Sequence, residues 1–220
     1  MLESRHTLVA RKTEIEKDLV SLFSRVKNAM EQAIECLNVC DKDVCRAIVE
    51  SDSKINQGQH QVEQDCLLAI ALHQPVAHDL REIVAAGRIA GELERAGDYA
   101  ADIAAIILQT DGSDLSKVGV AEVLELSHIC VRMLDEVITA YLQKDAENAK
   151  RVARMDDEID AGHERLVQKL FAAMQASPDL VPDGSRMLWI SHILERCGDR
   201  ATNIAEQVVF MLEAEVTELD

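Results

Sequence analysis

Apolar residues recur at intervals of three and four along nearly the whole chain, which is the period of an amphipathic α-helix. Only a few polar or proline-containing segments interrupt this pattern. It predicts six helices, at residues 3–39, 41–73, 77–109, 117–142, 144–176 and 184–217. Asp41 and Asp145 stand where a carboxylate can cap the helix that follows. Helices of about 30 residues are about 45 Å long, and short connections between them favour antiparallel bundles.

The sequence contains an internal repeat. The segment GELERAGDYAADIAAI at residues 91–106 aligns with HILERCGDRATNIAEQ at residues 192–207, at an offset of 101 positions. Upstream, residues 41–56 align with residues 145–160, at an offset of 104 positions. Two copies of a three-helix unit explain both alignments. We therefore predict an all-α fold of six long helices in two tandem three-helix bundles, residues 1–112 and 113–220.

The third and sixth predicted helices share one pattern of apolar and small residues, which we call the seam. It comprises Ile89, Leu93, Ala96, Ala100, Ile103 and Ile107 in the third helix, and Ile190, Leu194, Cys197, Ala201, Ile204 and Val208 in the sixth. We expect these positions to pack against partner helices. A polar stripe lies off the seam, at positions that predict an outward orientation. Its members are spaced by four: Glu94, Asp98 and Asp102, then Glu195, Asp199 and Asn203.

Two features of the polar stripe lower the stability of the helix, and both recur in the second copy. Like charges one turn apart repel, and a glycine within a helix, here Gly97 and Gly198, costs about 1 kcal/mol relative to alanine. One interpretation is that the acids solvate an outer face while the glycine lets helices approach closely. The other is a carboxylate cluster for metal ions, because magnesium, calcium, manganese and iron bind oxygen ligands and zinc accepts them. One helix cannot fill an octahedral shell, so Asp52 and Asp156 on the preceding helices are additional candidate ligands.

The balance of 40 acidic against 23 basic residues gives a formal net charge of −17. This acidity argues against direct nucleic-acid binding, which uses a basic surface. No stretch of about 18 apolar residues is present to span a membrane. The N-terminal segment is charged throughout, without the apolar core of a signal peptide, so we expect a cytoplasmic protein. In that setting the six cysteines are expected to be reduced thiols.

The motifs LERAGDYAADIA and LERCGDRATNIAE, together with PVAHDLREIVAAGRIAGELERAGD at residues 75–98, resemble the PhoU family of phosphate-uptake regulators. The resemblance extends through both copies. It implies a tandem three-helix-bundle fold with multinuclear metal sites on the bundle surface, built from Glu94, Asp98, Glu195 and Asp199. The second copy departs from the family pattern, since Asn203 replaces the third acid and no Asp-Leu-Arg segment precedes the motif.

The same resemblance implies a cytoplasmic regulator, not an enzyme, that restrains phosphate uptake and the phosphate-starvation response. The implied partners are the ATP-binding subunit of a high-affinity phosphate transporter and a membrane sensor histidine kinase. Membrane contact is then expected only through partners, and a homodimer is expected. The implied cofactors are divalent or trivalent metal ions, with iron, zinc, manganese and magnesium all open. Arg81 could hold a carboxylate of a partner or pair within the bundle.

Two alternatives belong to other classes. A ferritin-like di-iron oxidase or metal-storage protein would use Glu-x-x-His pairs, and the chain has two, Glu3-x-x-His6 and Glu125-x-x-His128. Their separation of 122 residues matches neither repeat offset. A purely structural scaffold would bind no metal. His192 lies one turn before Glu195 and could join the second cluster.

Overall fold

The structure is a computed structural model that describes residues 2–110, 118–214 and 218–219. The helices are α1 (Leu2–Val39), α2 (Lys42–His73), α3 (Ala77–Leu108), α4 (Val120–Gln143), α5 (Ala146–Ala153), α6 (Asp156–Ala176) and α7 (Val181–Glu213), with a 3₁₀ turn at Pro178–Leu180. No strand occurs in these ranges, and the predicted all-α fold is confirmed. Within the same ranges, no helix combines the length and apolar character needed to cross a bilayer.

Two aspartates cap helices as the sequence predicts. Oδ1 of Asp41 accepts hydrogen bonds from the backbone N–H groups of Asp43 at 3.0 Å and Val44 at 3.2 Å. Oδ1 of Asp145 accepts one from the N–H group of Asn148 at 3.0 Å. These bonds satisfy donors that the first turn of a helix leaves without an intrahelical partner, so α2 and α5 start where the sequence places them.

The predicted helix over 144–176 is wrong as a single element, because it divides into α5 and α6. The N–H of Met155 donates to the carbonyl of Val152 at 2.9 Å, and the N–H of Glu158 donates to the carbonyl of Met155 at 3.1 Å. Both bonds span three residues instead of four, so the chain tightens at this point. Three acidic residues then occupy the first turn of α6, where the helix dipole favours negative charge. The counterpart in the first copy, α2, is continuous.

Two other predicted boundaries shift. Helix α7 begins at Val181 instead of residue 184 because Pro182 fits in its first turn, where no intrahelical N–H donor is needed. Helix α4 begins at Val120, and the predicted start at residue 117 lies outside the described residues. The predicted division between residues 112 and 113 also lies outside them.

Helices α1, α2 and α3 pack on one another, and α4, α5 and α6 pack around α7. Each of the twelve seam residues predicted from the sequence has a relative exposure of 0%. The helical register is therefore confirmed in both copies, and the seams form the centre of each bundle.

Helices α3 and α7 also pack against each other, in antiparallel directions. Near the start of α3, Nε of Arg81 donates to the carbonyl of Met211 at 3.4 Å. Further along, Nη1 of Arg88 donates to Oε1 of Gln207 at 3.1 Å. As residue numbers rise along α3, those of the partners on α7 fall, which defines the antiparallel arrangement.

The centre of this contact relates the two copies. The guanidinium of Arg196 on α7 lies 5.2 Å from the ring centroid of Tyr99 on α3. Two positions away on each helix, the same register places Gly97 at the level of Gly198, and these glycines, each of which faces its own bundle, are equivalent in the repeat. The two bundles are therefore related by an approximate internal twofold axis near the glycines.

A buried carboxylate also joins the bundles. Glu82 on α3 forms ion pairs with Lys12 on α1 and with Lys144 at the end of α4. Nε2 of His78 lies 3.1 Å from Oε1 of Glu82. Burial alone would raise the pKa of Glu82, but the hydrogen bonds from Lys12 and Lys144 outweigh it and hold the pKa below its ordinary value. Glu82 is therefore a charged group neutralised by one lysine from each bundle.

The seam generates the first prediction. Leu93→Asp should lower the free energy of unfolding by several kcal/mol, comparable with the whole stability of a typical domain, because it buries an unpaired carboxylate. Thermal unfolding followed by circular dichroism measures the change. Leu67→Asp is the matched control, since Leu67 is 62% exposed on α2. Equal melting temperatures for the two variants would contradict the buried position of Leu93.

Candidate functional site

The polar stripe of α3 borders the groove between α2 and α3. Glu94 and Asp98 are half-buried, and Asp102 is exposed. Asp52 on α2 lies within hydrogen-bonding reach of Asp98. Oδ2 of Asp52 accepts a hydrogen bond from the side chain of Asn56 at 3.2 Å, whereas its Oδ1 is buried and accepts none from any described residue. The predicted outward orientation is therefore wrong for Glu94 and Asp98, because the stripe lies beside the seam, next to α2.

The electrostatics of this groove favour a positive charge. The pKa of Asp98 is raised from its ordinary value of 3.8 to about 6, mainly by burial and in addition by the charges of Glu94, Asp52 and Asp102 and by the close approach of the Asp52 carboxyl group. Neighbouring carboxylates repel when all are ionised. A proton or a metal cation in the groove would relieve this repulsion and would satisfy the buried oxygen of Asp52.

The two motif glycines allow close helix packing. A Cβ at Gly97 would lie 2.9 Å from Cγ2 of Ile55, and a Cβ at Gly198 would lie 3.0 Å from Cδ1 of Ile159, the repeat equivalent of Ile55. At Gly198 it would also lie 2.6 Å from Oδ1 of Asp156. Both glycines are therefore explained by the close approach of a neighbouring helix, which is one of the two interpretations that the sequence allows. In the second copy the glycine also admits a carboxylate against α7.

The stripe of α7 divides between two environments. Glu195 is half-buried beside α6, while Asp199 is 41% exposed in its side chain. Nδ2 of Asn203 donates to Oε2 of Glu92 on α3 at 3.2 Å, and Nη1 of Arg200 donates to the same oxygen at 3.0 Å. The amide nitrogen of Asn203 is thus engaged between the bundles, which leaves its carbonyl oxygen as the atom able to bind a cation.

The acids are not arranged as a finished metal site. Within residues 2–110, 118–214 and 218–219, no three His, Cys, Asp or Glu side chains are placed together as ligands of one ion. Asp52 and Asp98 come together in the first copy, and Asp156 approaches the motif glycine in the second. Metal binding by these residues, including Asp102 and Asn203, stays a prediction that requires side-chain rotation.

Sequence reasoning missed one residue in the second groove, His163 on α6. Its Nδ1 lies 2.6 Å from Oγ of Ser191, and its ring centroid lies 6.1 Å from that of His192. Seven residues, about two helical turns, separate His163 from Asp156, so the two share a face of α6. This spacing was the signal in the sequence that could have identified it.

The other candidate residues lie apart from the grooves. Arg81 is half-buried, and its contact with the carbonyl of Met211 places it between the bundles. Its predicted role toward a partner stays a prediction. Glu125 and His128 are exposed on α4, and the side chain of Glu3 lies outside the described residues. Nothing in the residues that the structure describes supports the ferritin-like alternative.

All six cysteines are free thiols in the structure. Burial, with a smaller contribution from a hydrogen bond with Cys45, raises the pKa of Cys36 to about 12. A thiol with so high a pKa is protonated at neutral pH, whereas metal ions bind the thiolate form.

The PhoU domain family matches the chain at residues 19–107 and 123–208. The phosphate-specific transport system accessory protein PhoU homolog of Clostridium acetobutylicum is 28% identical over 208 residues, which cover 94% of each chain. The homolog of Streptococcus pneumoniae is 29% identical over 207 residues, covering 94% of this chain and 95% of the relative. The matches therefore include both bundles.

Two solved structures of PhoU proteins are similar to this chain over nearly its whole length. The crystal structure of the phosphate transport system regulatory protein PhoU from Streptococcus pneumoniae superimposes with a TM-score of 0.89 at 27% identity, over 96% of this chain and 99% of the other. The crystal structure of PhoU from Pseudomonas aeruginosa gives a TM-score of 0.90 at 28% identity, over 94% and 99%.

The raised pKa of Asp98 generates a prediction about pH. The folded state binds a proton at Asp98 more tightly than the unfolded state, so this group's contribution to stability falls as pH rises from about 4 to about 6. Asp98→Asn should remove that fall and raise the stability at neutral pH by about 1 kcal/mol, after allowance for solvent screening. Urea unfolding at several pH values measures both effects. Asp43→Asn is the control, because that side chain is 92% exposed, and identical pH slopes for wild type and Asp98→Asn would contradict the prediction.

Proposed function

Because the chain belongs to the PhoU family, we propose that it is a regulator of phosphate transport. The observation that carries this proposal is the family match in both bundles, joined to relatives named as accessory proteins of the phosphate-specific transport system. The likeness extends over nearly the full length of those relatives. We propose regulation and not catalysis, since the relatives are named accessory and regulatory proteins.

In the finer form of the proposal, the chain restrains a high-affinity phosphate transporter and its associated sensor kinase through protein contacts in the cytoplasm. The contacts would be with the ATP-binding subunit of the transporter and with a membrane sensor histidine kinase. A net charge of −17 supports protein-mediated contact, because an anionic membrane surface repels an acidic protein.

An exposed apolar surface supports contact with another protein chain. Around the turn between α2 and α3, the exposed fractions are 46% for Leu68, 70% for Leu72 and 74% for Val76. Apolar side chains grouped on a surface commonly mark interaction sites. A second copy of the chain could cover this surface in the expected homodimer, and light scattering of the purified protein tests that state.

The proposal includes metal ions at the acidic grooves. In the first bundle, Asp52, Glu94 and Asp98 would hold the ion, with Asp102 at the exposed edge. In the second bundle the corresponding residues are Asp156, Glu195 and Asp199. Carboxylates supply the oxygen ligands that iron, zinc, manganese and magnesium accept. A bound ion would neutralise the groove and so strengthen the packing of the flanking helices.

The metal part of the proposal predicts that Asp98→Asn combined with Asp199→Asn removes most of the metal bound by the loaded protein. The helix content should not change, because neither side chain belongs to the buried seams. Elemental analysis and circular dichroism measure the two quantities. Glu31→Gln combined with Asp43→Asn, both exposed, is the matched control. Full metal content in the Asp98 and Asp199 double variant would refute the assignment.

The regulatory part of the proposal predicts a phenotype. Cells that lack the chain should take up phosphate and express their starvation response even in phosphate-rich medium. Wild-type chain should restore restraint, whereas Leu93→Asp should not, because it disrupts the first bundle. Phosphate uptake and capture of the transporter subunit from the same cells measure the outcome. Normal restraint in the deleted cells would overturn the proposed function.

A further inference from the structure

Arginines are grouped along the contact between α3 and α7. Arg95 and Arg196 are equivalent in the repeat, both are exposed, and neither belongs to a seam or to a polar stripe. The guanidinium of Arg196 lies 5.2 Å from the ring centroid of Tyr99. Burial raises the pKa of that tyrosine, whereas the positive charges of Arg196, Arg200 and Arg95 oppose the rise. Three guanidinium groups therefore lie around one tyrosine ring, close to the internal twofold axis.

Arg88 extends this group along α3. Seven residues, about 10 Å of helix, separate Arg88 from Arg95, so the two side chains share a face. The guanidinium of Arg88 lies 5.5 Å from the ring centroid of Phe210 on α7. We call Arg88, Arg95, Arg196 and Arg200 the arginine cluster.

The cluster has more positive charge than its carboxylate neighbours neutralise. Nη1 of Arg200 lies 3.0 Å from Oε2 of Glu92, and its Nη2 lies 3.7 Å from Oδ2 of Asp199. Among the described residues, these ion pairs belong to Arg200, and neither Arg95 nor Arg196 takes part in them. Positive charge thus remains on the surface of a chain whose net charge is −17. Because grouped like charges repel one another, local stability does not explain the cluster.

We propose that the arginine cluster is a docking surface for an acidic segment of a partner protein. The proposal deepens the proposed function, since it assigns a surface to the protein contacts, and it rests on that function for the regulatory meaning of the contact. Guanidinium groups recognise carboxylates through paired hydrogen bonds, which gives an acidic segment both affinity and orientation.

The shape of the cluster favours a protein segment over a small anion. Arg88 and Arg95 are two helical turns apart, and Arg196 lies beside Tyr99, one turn further along α3. A single oxyanion cannot contact all three guanidinium groups, whereas a segment with several carboxylates can. The side chains are also open to solvent, and an exposed ion pair contributes little. A protein that docks here removes this water from the arginines and so strengthens the contact.

Two aromatic rings prepare the arginines for binding. Tyr99 lies against the guanidinium of Arg196, and Phe210 lies against that of Arg88. Such contacts restrict side-chain rotation before the partner arrives, so less conformational entropy is lost on docking. Arginine and tyrosine are also among the residues that carry most of the binding energy at protein interfaces.

A polyglutamate peptide is the probe for a direct test. By NMR, the peptide should shift the Nε–H signals of Arg95 and Arg196 and leave in place those of Arg46 and Arg132, which are exposed on other helices. The shifts should decrease as salt is raised, because salt screens contacts between exposed charges. Equal shifts at all four arginines, or none at Arg95 and Arg196, would overturn the proposal.

Charge reversal separates the surface from the net charge of the chain. Arg95→Glu combined with Arg196→Glu should weaken peptide binding at least about tenfold, because like charges then face each other. Arg46→Glu combined with Arg132→Glu is the matched control, with the same change in net charge at side chains that are 58% and 51% exposed. It should bind nearly as the wild type does. Equal affinities of the two double variants would contradict the proposal.

A neutral variant guards against a folding defect. Arg95→Gln combined with Arg196→Gln adds no negative charge and should reduce the affinity less than charge reversal does. Circular dichroism checks that each variant is folded. Wild-type affinity in a folded glutamine variant would also count against the proposal.

Further measurements distinguish other occupants of this surface. Inorganic phosphate and phosphatidylglycerol vesicles should each leave the Arg95 and Arg196 signals in place, and a shift caused by either would overturn the choice of a protein segment. A dimer, detected by light scattering, that charge reversal dissociates would assign the surface to a second copy of the chain and overturn it too. Peptide binding is measured on the isolated protein, so its failure is distinguishable from normal phosphate restraint in cells that lack the chain, which tests the regulatory role.

Discussion

Helices α3 and α7 must each present one face to their own bundle and another to each other, and the remaining architecture depends on this double packing. The seam faces are fully buried, and the contact between the helices is closed by pairs such as Tyr99 with Arg196 and Glu92 with Arg200. Only a narrow strip of each helix is left for other purposes. The acidic stripes occupy that strip, which explains why they lie at the edges of grooves shared with α2 and α6.

The helices, their caps and the buried seams were predictable because each depends on local chemistry. Helical periodicity specifies a face, and Asp41 and Asp145 satisfy donors only two or three residues away. The break before Asp156 was not predictable, since the tightened turn there contains neither glycine nor proline. The sequence shows that each helix contains an unfavourable glycine. The reason for it, close contact with Ile55 or Ile159 on the neighbouring helix, is visible only in the structure. The grooves depend on pairing between helices, so the sequence supplied the stripe residues but not His163.

The two copies of the repeat form two grooves with similar helix packing but different polar side chains. In the first, Asp52 and Asp98 face each other, and the main effect is repulsion between carboxylates in a partly buried place. In the second, two histidines stand near Glu195, and the tightened turn at Met155 sets the start of the helix that carries Asp156. The twofold relation preserves the packing of the glycines while the polar residues around them differ.

The sharing of Glu82 by two lysines has a consequence for how the protein unfolds. Lys12 belongs to the first bundle and Lys144 to the second, so separation of the bundles would leave a buried carboxylate with half of its neutralising charge. Lys144 is 51% exposed in its side chain and Glu82 would keep its pair with Lys12, so this pair adds only modestly to the packing of α3 on α7, which is the main contact between the bundles. Contacts between the bundles therefore couple their stabilities. The chain should unfold in one cooperative transition, and neither half should behave as an independent folding unit.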